Sequence, residues 1–369
     1  MPTTRRGFLK GMAASGAAMT TARSLPASQD RTLDAMFREA LVIDDLAGFT
    51  PDPAQPDRGF GAIDRSGVTV VSPTIGSVVA EESYESSVSG LAQLASTVAA
   101  NSDRMLLIRG HGDVERARNE GKLGVLVNFQ NSTALGTDLN RLDLFYGLGL
   151  RQMQITFNWR NWVGDGCTER TQAGLSYFGV DLVEKMNGLG VIVDVGHTGS
   201  QTTLDAIEVS KKPIVFSHTN CKAICDHPRN KTDEQIVALA KKGGVMGMTT
   251  FNWFVSDKPR STLDDLLDHY DHAIRLVGAD HVAIGSDFSL PGWKGREPDE
   301  EWERHAGLYG EREWKALKGR FPPYIDEVND ERRYWTIAQG LEKRGHSVSD
   351  IEKILGLNFL RVYKEVLKS

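Results

Sequence analysis

The chain has 369 residues, 40% hydrophobic and 25% charged, enough apolar material for one large core or two small ones. Its 43 Lys and Arg against 49 Asp and Glu leave a net charge of -6, too mild and too mixed to suggest a nucleic-acid partner. No stretch reaches the roughly 20 apolar residues of a membrane span.

The first residues, MPTTRRGFLKGMAASGAAMTTARS, place Gly7, Phe8, Leu9 and Lys10 after Arg5-Arg6, followed by a run of small residues. This is the form of a twin-arginine export signal over residues 1–27, with cleavage near Ala22 or Ala27. The translocation machinery is then a partner, and the destination is the periplasm or the cell exterior. Three cysteines, Cys167, Cys221 and Cys225, are too few and odd in number for a disulfide framework, although Cys221 and Cys225 could pair or stay free.

Residues 28–369 read as a single domain. Apolar runs bounded by turn residues predict strands at 40–44, 67–74, 121–129, 150–157, 190–196, 213–217, 243–249 and 281–287. Helical periodicity fills the intervals, at 87–103, 175–190, 200–212, 232–244 and 261–278, with Ser or Thr at several starts and Gly at several ends. Strands apolar on both faces that alternate with helices predict a parallel sheet covered by helices, and eight such units fit an α/β (β/α)8 TIM barrel better than a doubly wound sheet. No GxGxxG follows the first strand, which argues against a dinucleotide site.

Functional groups of such a barrel collect at the C-terminal ends of its strands. Here those ends carry Asp44 and Asp45, Gln130, Phe157 and Asn158, His197, His218 and Asp287. Two histidines, carboxylates and an amide at one mouth are ligand chemistry for zinc or a similar divalent ion. The other histidines stand in helices, loops or strand starts and read as structural. The loop NWRNWVGDGCTER at 158–170 offers Trp159 and Trp162 as pocket walls, and Asp165, Cys167 or Glu169 as further ligands. Segment 291–314 reads as a lid or a surface loop.

GLSYFGVDLVEKMNGLGVIVDVGHTGSQTTLDAIEVSKKPIVFSHTNC, then DHPRNKTDEQIVALAKKGGVMG, HVAIGSDF and GLNFLRV, resemble the membrane dipeptidase (renal dipeptidase) family of metal-dependent amidohydrolase-type barrels, from Leu41 to Val362. In that family two metal ions sit at the mouth. The resemblance implies that His197 and His218 bind one ion, that Asp287 acts beside the attacking water, and that Arg229 holds the substrate carboxylate. Three departures stand out. Leu46 and Gly48 replace a His-x-Asp pair of ligands, with Asp45 as the available stand-in; Gln130 replaces a bridging glutamate; Phe157 replaces a histidine that contacts the scissile carbonyl.

These departures imply one divalent ion, zinc by its ligands, with no second. The ion would be held by His197 and His218 and completed by Asp44, Asp45, Asp287 or water. The expected activity is hydrolysis of an amide bond in a small carboxylate-bearing substrate. Asp287 would be base and then acid, Gln130 would orient water or polarise the carbonyl, and Arg229, Phe157, Asn158 and Trp159 would bind substrate. Two other readings fit the same residues: an inactive barrel used for binding or maturation, and a metal-assisted lyase or isomerase. The family's habit gives an expectation of a homodimer.

Overall fold

The computed structural model describes residues 31–49, 59–76, 78, 83–293, 314–318 and 322–369. The export signal and most of the 291–314 segment lie outside the described residues.

Ten short parallel strands form one sheet: β1 (Ile43–Asp44), β2 (Val70–Val71), β3 (Met105–Leu107), β4 (Leu123–Val125), β5 (Val127–Phe129), β6 (Leu150–Gln154), β7 (Ile192–Asp194), β8 (Val215–Thr219), β9 (Val245–Met248) and β10 (Val282–Ile284). Their order is β3-β4-β2-β1-β10-β9-β8-β7-β6-β5. Only Leu126 separates β4, which pairs with β2, from β5, which pairs with β6. They are therefore one strand with a register break, and the order closes on itself into an eight-stranded barrel. Each predicted strand has its counterpart. The strand β3, which the sequence reading did not predict, pairs with β4 and takes no part in closing the ring.

The strands are short, so alternate residues sort cleanly. Ile43, Val70, Ile192, Val215, Val245 and Ala283 point inward and meet Phe359, Val362 and Tyr363 of the Asn358–Val366 helix, which plugs the barrel floor. Val71, Val125, Phe216, Met246 and Ile284 join the outer core under the helices. Each predicted helix has a counterpart as well, at Ser83–Ala100, Tyr177–Leu189, Ser200–Val209, Asp233–Lys241 and Leu263–Val277. The last two begin at capping boxes, Thr232 with Gln235 and Thr262 with Asp265.

A buried polar cluster ties the end of β10 to the outer layer. Arg333, fully buried at the start of the Arg333–Lys343 helix, donates to Ser286 Oγ (2.9 Å), Ser289 O (2.7 Å) and Leu290 O (3.2 Å). Asp44 accepts from Ser286 N (2.8 Å), Ser286 Oγ (2.5 Å) and Tyr334 OH (2.9 Å). The turn carrying Asp287 is thus clamped from two sides. Arg333→Met removes a buried cation and leaves Asp44 and the carbonyls of Asp330, Phe288, Ser289 and Leu290 facing an apolar side chain, which should cost about 3–5 kcal/mol. Urea unfolding measures this, and a loss below about 1 kcal/mol would show that the clamp contributes little.

Candidate active site at the barrel mouth

The interior above the floor is polar. Asp45 accepts from Tyr363 OH (2.6 Å) and Gln152 Nε2 (3.0 Å), so its carboxylate points down to the plug, and burial pushes its pKa well up. Asp44 points outward to Ser286 and Tyr334. The structure therefore does not bring these two proposed metal ligands to the histidines. Asp44 ends the two-residue strand and Asp45 opens the turn that follows, and the two carboxylates are spent on holding this segment to the helical layer and to the floor.

His197 and His218 do come together, with Nε2 atoms 2.8 Å apart. Their other nitrogens decide the tautomers. Ser217 Oγ gives its single proton to Asp194 Oδ2 (2.5 Å), so toward His218 Nδ1, 2.6 Å away, it can only accept. His218 is therefore protonated on Nδ1. Asn158 Oδ1 lies 2.6 Å from His197 Nδ1 and accepts its proton in the same way. Burial, then the charge of Arg229, holds both rings well below the usual histidine pKa, so both are neutral and both Nε2 atoms carry lone pairs, that of His218 accepting from the Gln130 amide. Lone pairs at this separation need a positive centre. A proton would make an imidazolium, which burial and two neighbouring cations oppose; a metal ion satisfies both rings.

Gln130 stands beside the pair, its Nε2 3.2 Å from His218 Nε2 and its Oε1 accepting from Thr74 Oγ1 (2.8 Å). Phe157 stacks on the His197 ring at 4.2 Å, and Trp159 meets Phe157 edge-on at 5.5 Å. Arg229 is fully buried and donates Nη2 to His218 O (2.9 Å) and Nη1 to Gly196 O. Asp287 follows β10 in a left-handed conformation, φ 64°, with its N–H on Leu46 O (2.8 Å). Burial pushes its carboxyl up to about 7 against the lowering effect of Arg229. Gln130, Phe157, Asn158, His197, Arg229 and Asp287 together line a chamber of about 40 Å³, roofed by Phe251, Trp253 and Phe254.

Leu46 and Gly48 support the mouth through their carbonyls, which accept from Asp287 N (2.8 Å) and Leu290 N (3.0 Å). In the 158–170 loop, Asp165 is engaged by Arg160 and by Ala173 N (2.6 Å), and Trp162 is 65% exposed. Cys167 Sγ donates to Asn158 Oδ1 (3.3 Å), behind His197. None of the three cysteines forms a disulfide among the described residues. The close packing of this loop depends on glycine: a Cβ at Gly166 would lie 2.2 Å from Asn158 C.

The sequence reading missed Asp194, Ser217 and Lys231. Lys231 is fully buried, donates to Thr198 O (3.0 Å) and Thr203 Oγ1 (3.1 Å), and is brought down to about 7 by burial. Ser217 sits in the interior of β8 and Asp194 at the end of β7, where a serine and an aspartate among Val and Ile were the available signal.

The donor set fits one divalent ion on two neutral imidazoles. No group of three or more His, Cys, Asp or Glu side chains able to hold an ion occurs among the described residues, so Gln130, Asp287 or water would complete the shell. Ser217→Ala leaves His218 Nδ1 without its acceptor and frees the ring to turn. Metal affinity should fall about 10–100-fold with the fold retained, as measured by competition with a chromophoric chelator. Unchanged affinity would mean that the serine does not orient the ligand.

Comparison with known proteins supplies the family. Residues 56–297 match the family model described as Membrane dipeptidase (Peptidase family M19). Dipeptidase tcpJ of Claviceps purpurea (strain 20.1) is 29% identical over 268 residues, 72% of this chain but only 56% of that relative, so the chain spans little more than half its length. A crystal structure of an amidohydrolase from Pseudomonas aeruginosa superposes with a TM-score of 0.80 at 28% identity, covering 91% of this chain and 99% of the other. A metallo peptidase from Rhodobacter sphaeroides, liganded with a phosphinate mimic of L-Ala-D-Ala, shares the fold at 19% identity, with a TM-score of 0.73 over 89% of this chain and 99% of that one. By sequence and by fold, the chain belongs to the membrane dipeptidase family, a family of metal-dependent peptidases with a TIM-barrel-like fold.

Proposed function

We propose that this chain is an exported, metal-dependent hydrolase that cleaves an amide bond in a small substrate carrying a carboxylate. The observation that carries the reading is the meeting of two neutral imidazoles, their Nε2 atoms 2.8 Å apart, at the edge of a chamber that His197 and Asp287 both line. One divalent ion, zinc by ligand type, would supply a Lewis acid that brings the pKa of a water toward neutrality.

The chain's own groups do the rest. His197 and His218 hold the ion through Nε2, with their rings fixed by Asn158 and by the Ser217–Asp194 pair. Asp287 takes the proton of the attacking water and returns it to the leaving amine. Gln130 orients that water or polarises the substrate carbonyl. Arg229 faces the chamber and takes the substrate carboxylate, and Phe157, Asn158 and Trp159 shape the wall. The Arg5-Arg6 segment supports export through the twin-arginine machinery. No helix among the described residues is long and apolar enough to cross a membrane. A homodimer is the assembly expected from the family likeness.

A second reading, a binding or maturation role without turnover, is favoured only by the shortage of charged ligands around the histidines.

Asp287 can accept a proton only when ionised. Burial raises its carboxyl and a bound divalent ion would draw it back down, so kcat/KM should rise with pH on the acid side and level off above pH 7. Asp287→Asn keeps the shape and loses the base, so turnover of N-acyl amino acids and dipeptides should fall at least 10²-fold, with thermal stability retained. Retained turnover, or a rate that falls through pH 7, would remove Asp287 from this role.

A further inference from the structure

A second cavity, of about 810 Å³, opens on the other side of Asp287 and shares Asp287 and Phe251 with the small chamber. One wall is the Ser83–Ala100 helix, which presents Ser86, Ser89, Gly90, Gln93, Leu94 and Thr97, a single face by their three- and four-residue spacing. The facing wall is Val71, Val125 and Met105 from β2, β4 and β3. Asp287 is the only charged group among the described lining residues. The helix itself carries no charged residue from Ser86 to Ala100. A barrel helix would ordinarily close such a gap with large apolar side chains; here small polar ones hold it open.

The two cavities differ in what they accept. The chamber holds a few waters or one carboxylate and contains Arg229, whereas the larger space suits a ligand of drug size. A substrate whose carboxylate meets Arg229 and whose amide lies at Asp287 has the larger cavity, which Asp287 also lines, beside its acyl part. In a free dipeptide that part begins with an α-ammonium, which needs an anionic partner; among the described lining residues the available carboxylate is Asp287, already committed to the proton transfer. An uncharged acyl chain needs no such partner.

We infer that the substrate is an N-acyl amino acid, its carboxylate at Arg229 and its uncharged acyl chain in the cavity between the Ser83–Ala100 helix and β2. This rests on the hydrolase reading above and adds the substrate class. Water's oxygen bonds to the acyl carbon, the C–N bond breaks, and the amine leaves with the proton relayed by Asp287, giving a free carboxylate and an amino acid.

The test is a chain-length series on the metal-loaded, full-length protein. Binding of N-acetyl-, N-butanoyl-, N-hexanoyl- and N-octanoyl-glycine, and of glycylglycine, is measured by calorimetry, with hydrolysis of each followed separately. Affinity should rise about two- to fourfold per buried methylene, so N-octanoyl-glycine binds at least 10-fold more tightly than N-acetyl-glycine, with glycylglycine weakest. Ser89→Trp, which fills the cavity, should flatten the series, and Gln93→Glu, which places a charge in it, should weaken the octanoyl ligand and favour the dipeptide. A flat series in the unaltered protein, or glycylglycine binding as tightly as N-octanoyl-glycine, overturns the inference even if amides are cleaved. A steep series without hydrolysis of any amide upholds the inference about the cavity and refutes the hydrolase reading.

Discussion

His197 and His218 cannot be understood apart from the groups behind them. Two imidazoles whose Nε2 atoms meet at 2.8 Å would repel as neutral acceptors. Each is held in that state by a partner on its far nitrogen: Asn158 for one, and Ser217 backed by Asp194 for the other. Burial and the nearby Arg229 keep protons off the pair. On the proposed reading the site is prepared for a cation other than a proton, and the rest of the mouth is arranged around that requirement.

The barrel makes the arrangement possible at modest cost. Strands of two to five residues end in one plane, and backbones approach closely where the histidine strand is packed: a Cβ at Gly285 would lie 1.8 Å from Ser217 O. Asp44 and Arg333, by contrast, spend their charge on structure. They clamp the 286–290 turn from the helical layer, and that turn holds Asp287 in its left-handed conformation at the rim of both cavities. Aromatic residues roof the chamber, so polar chemistry proceeds in a space of low dielectric, where each charge counts for more.

Much of this was legible in the sequence. Period and turn residues marked all eight barrel strands, because a strand buried on both faces is a continuous apolar run with a sharp polar end. The same logic put His197, His218, Gln130, Phe157, Asn158 and Asp287 at one mouth, where the structure has them. Asp44 and Asp45 stood at the right strand end, but sequence does not reveal which way a carboxylate turns. Tyr363 and Tyr334, some 300 residues away, decide that. Ser217 and Asp194 in strands, and Lys231 in the segment before the Asp233–Lys241 helix, escaped notice for a related reason: a buried polar residue looks like a packing compromise until its partner on a neighbouring element is known. The β3 strand escaped because three residues between charged flanks fall below the length at which periodicity speaks.

The central claim is that two neutral imidazoles hold one divalent ion. Elemental analysis by mass spectrometry of the mature protein, purified without chelators or added metal, tests it most directly, with the His197→Ala, His218→Ala double variant alongside. The account requires close to one equivalent of zinc or another transition metal, lost in the double variant. Two equivalents, none even after titration, or one retained without the histidines would each contradict it.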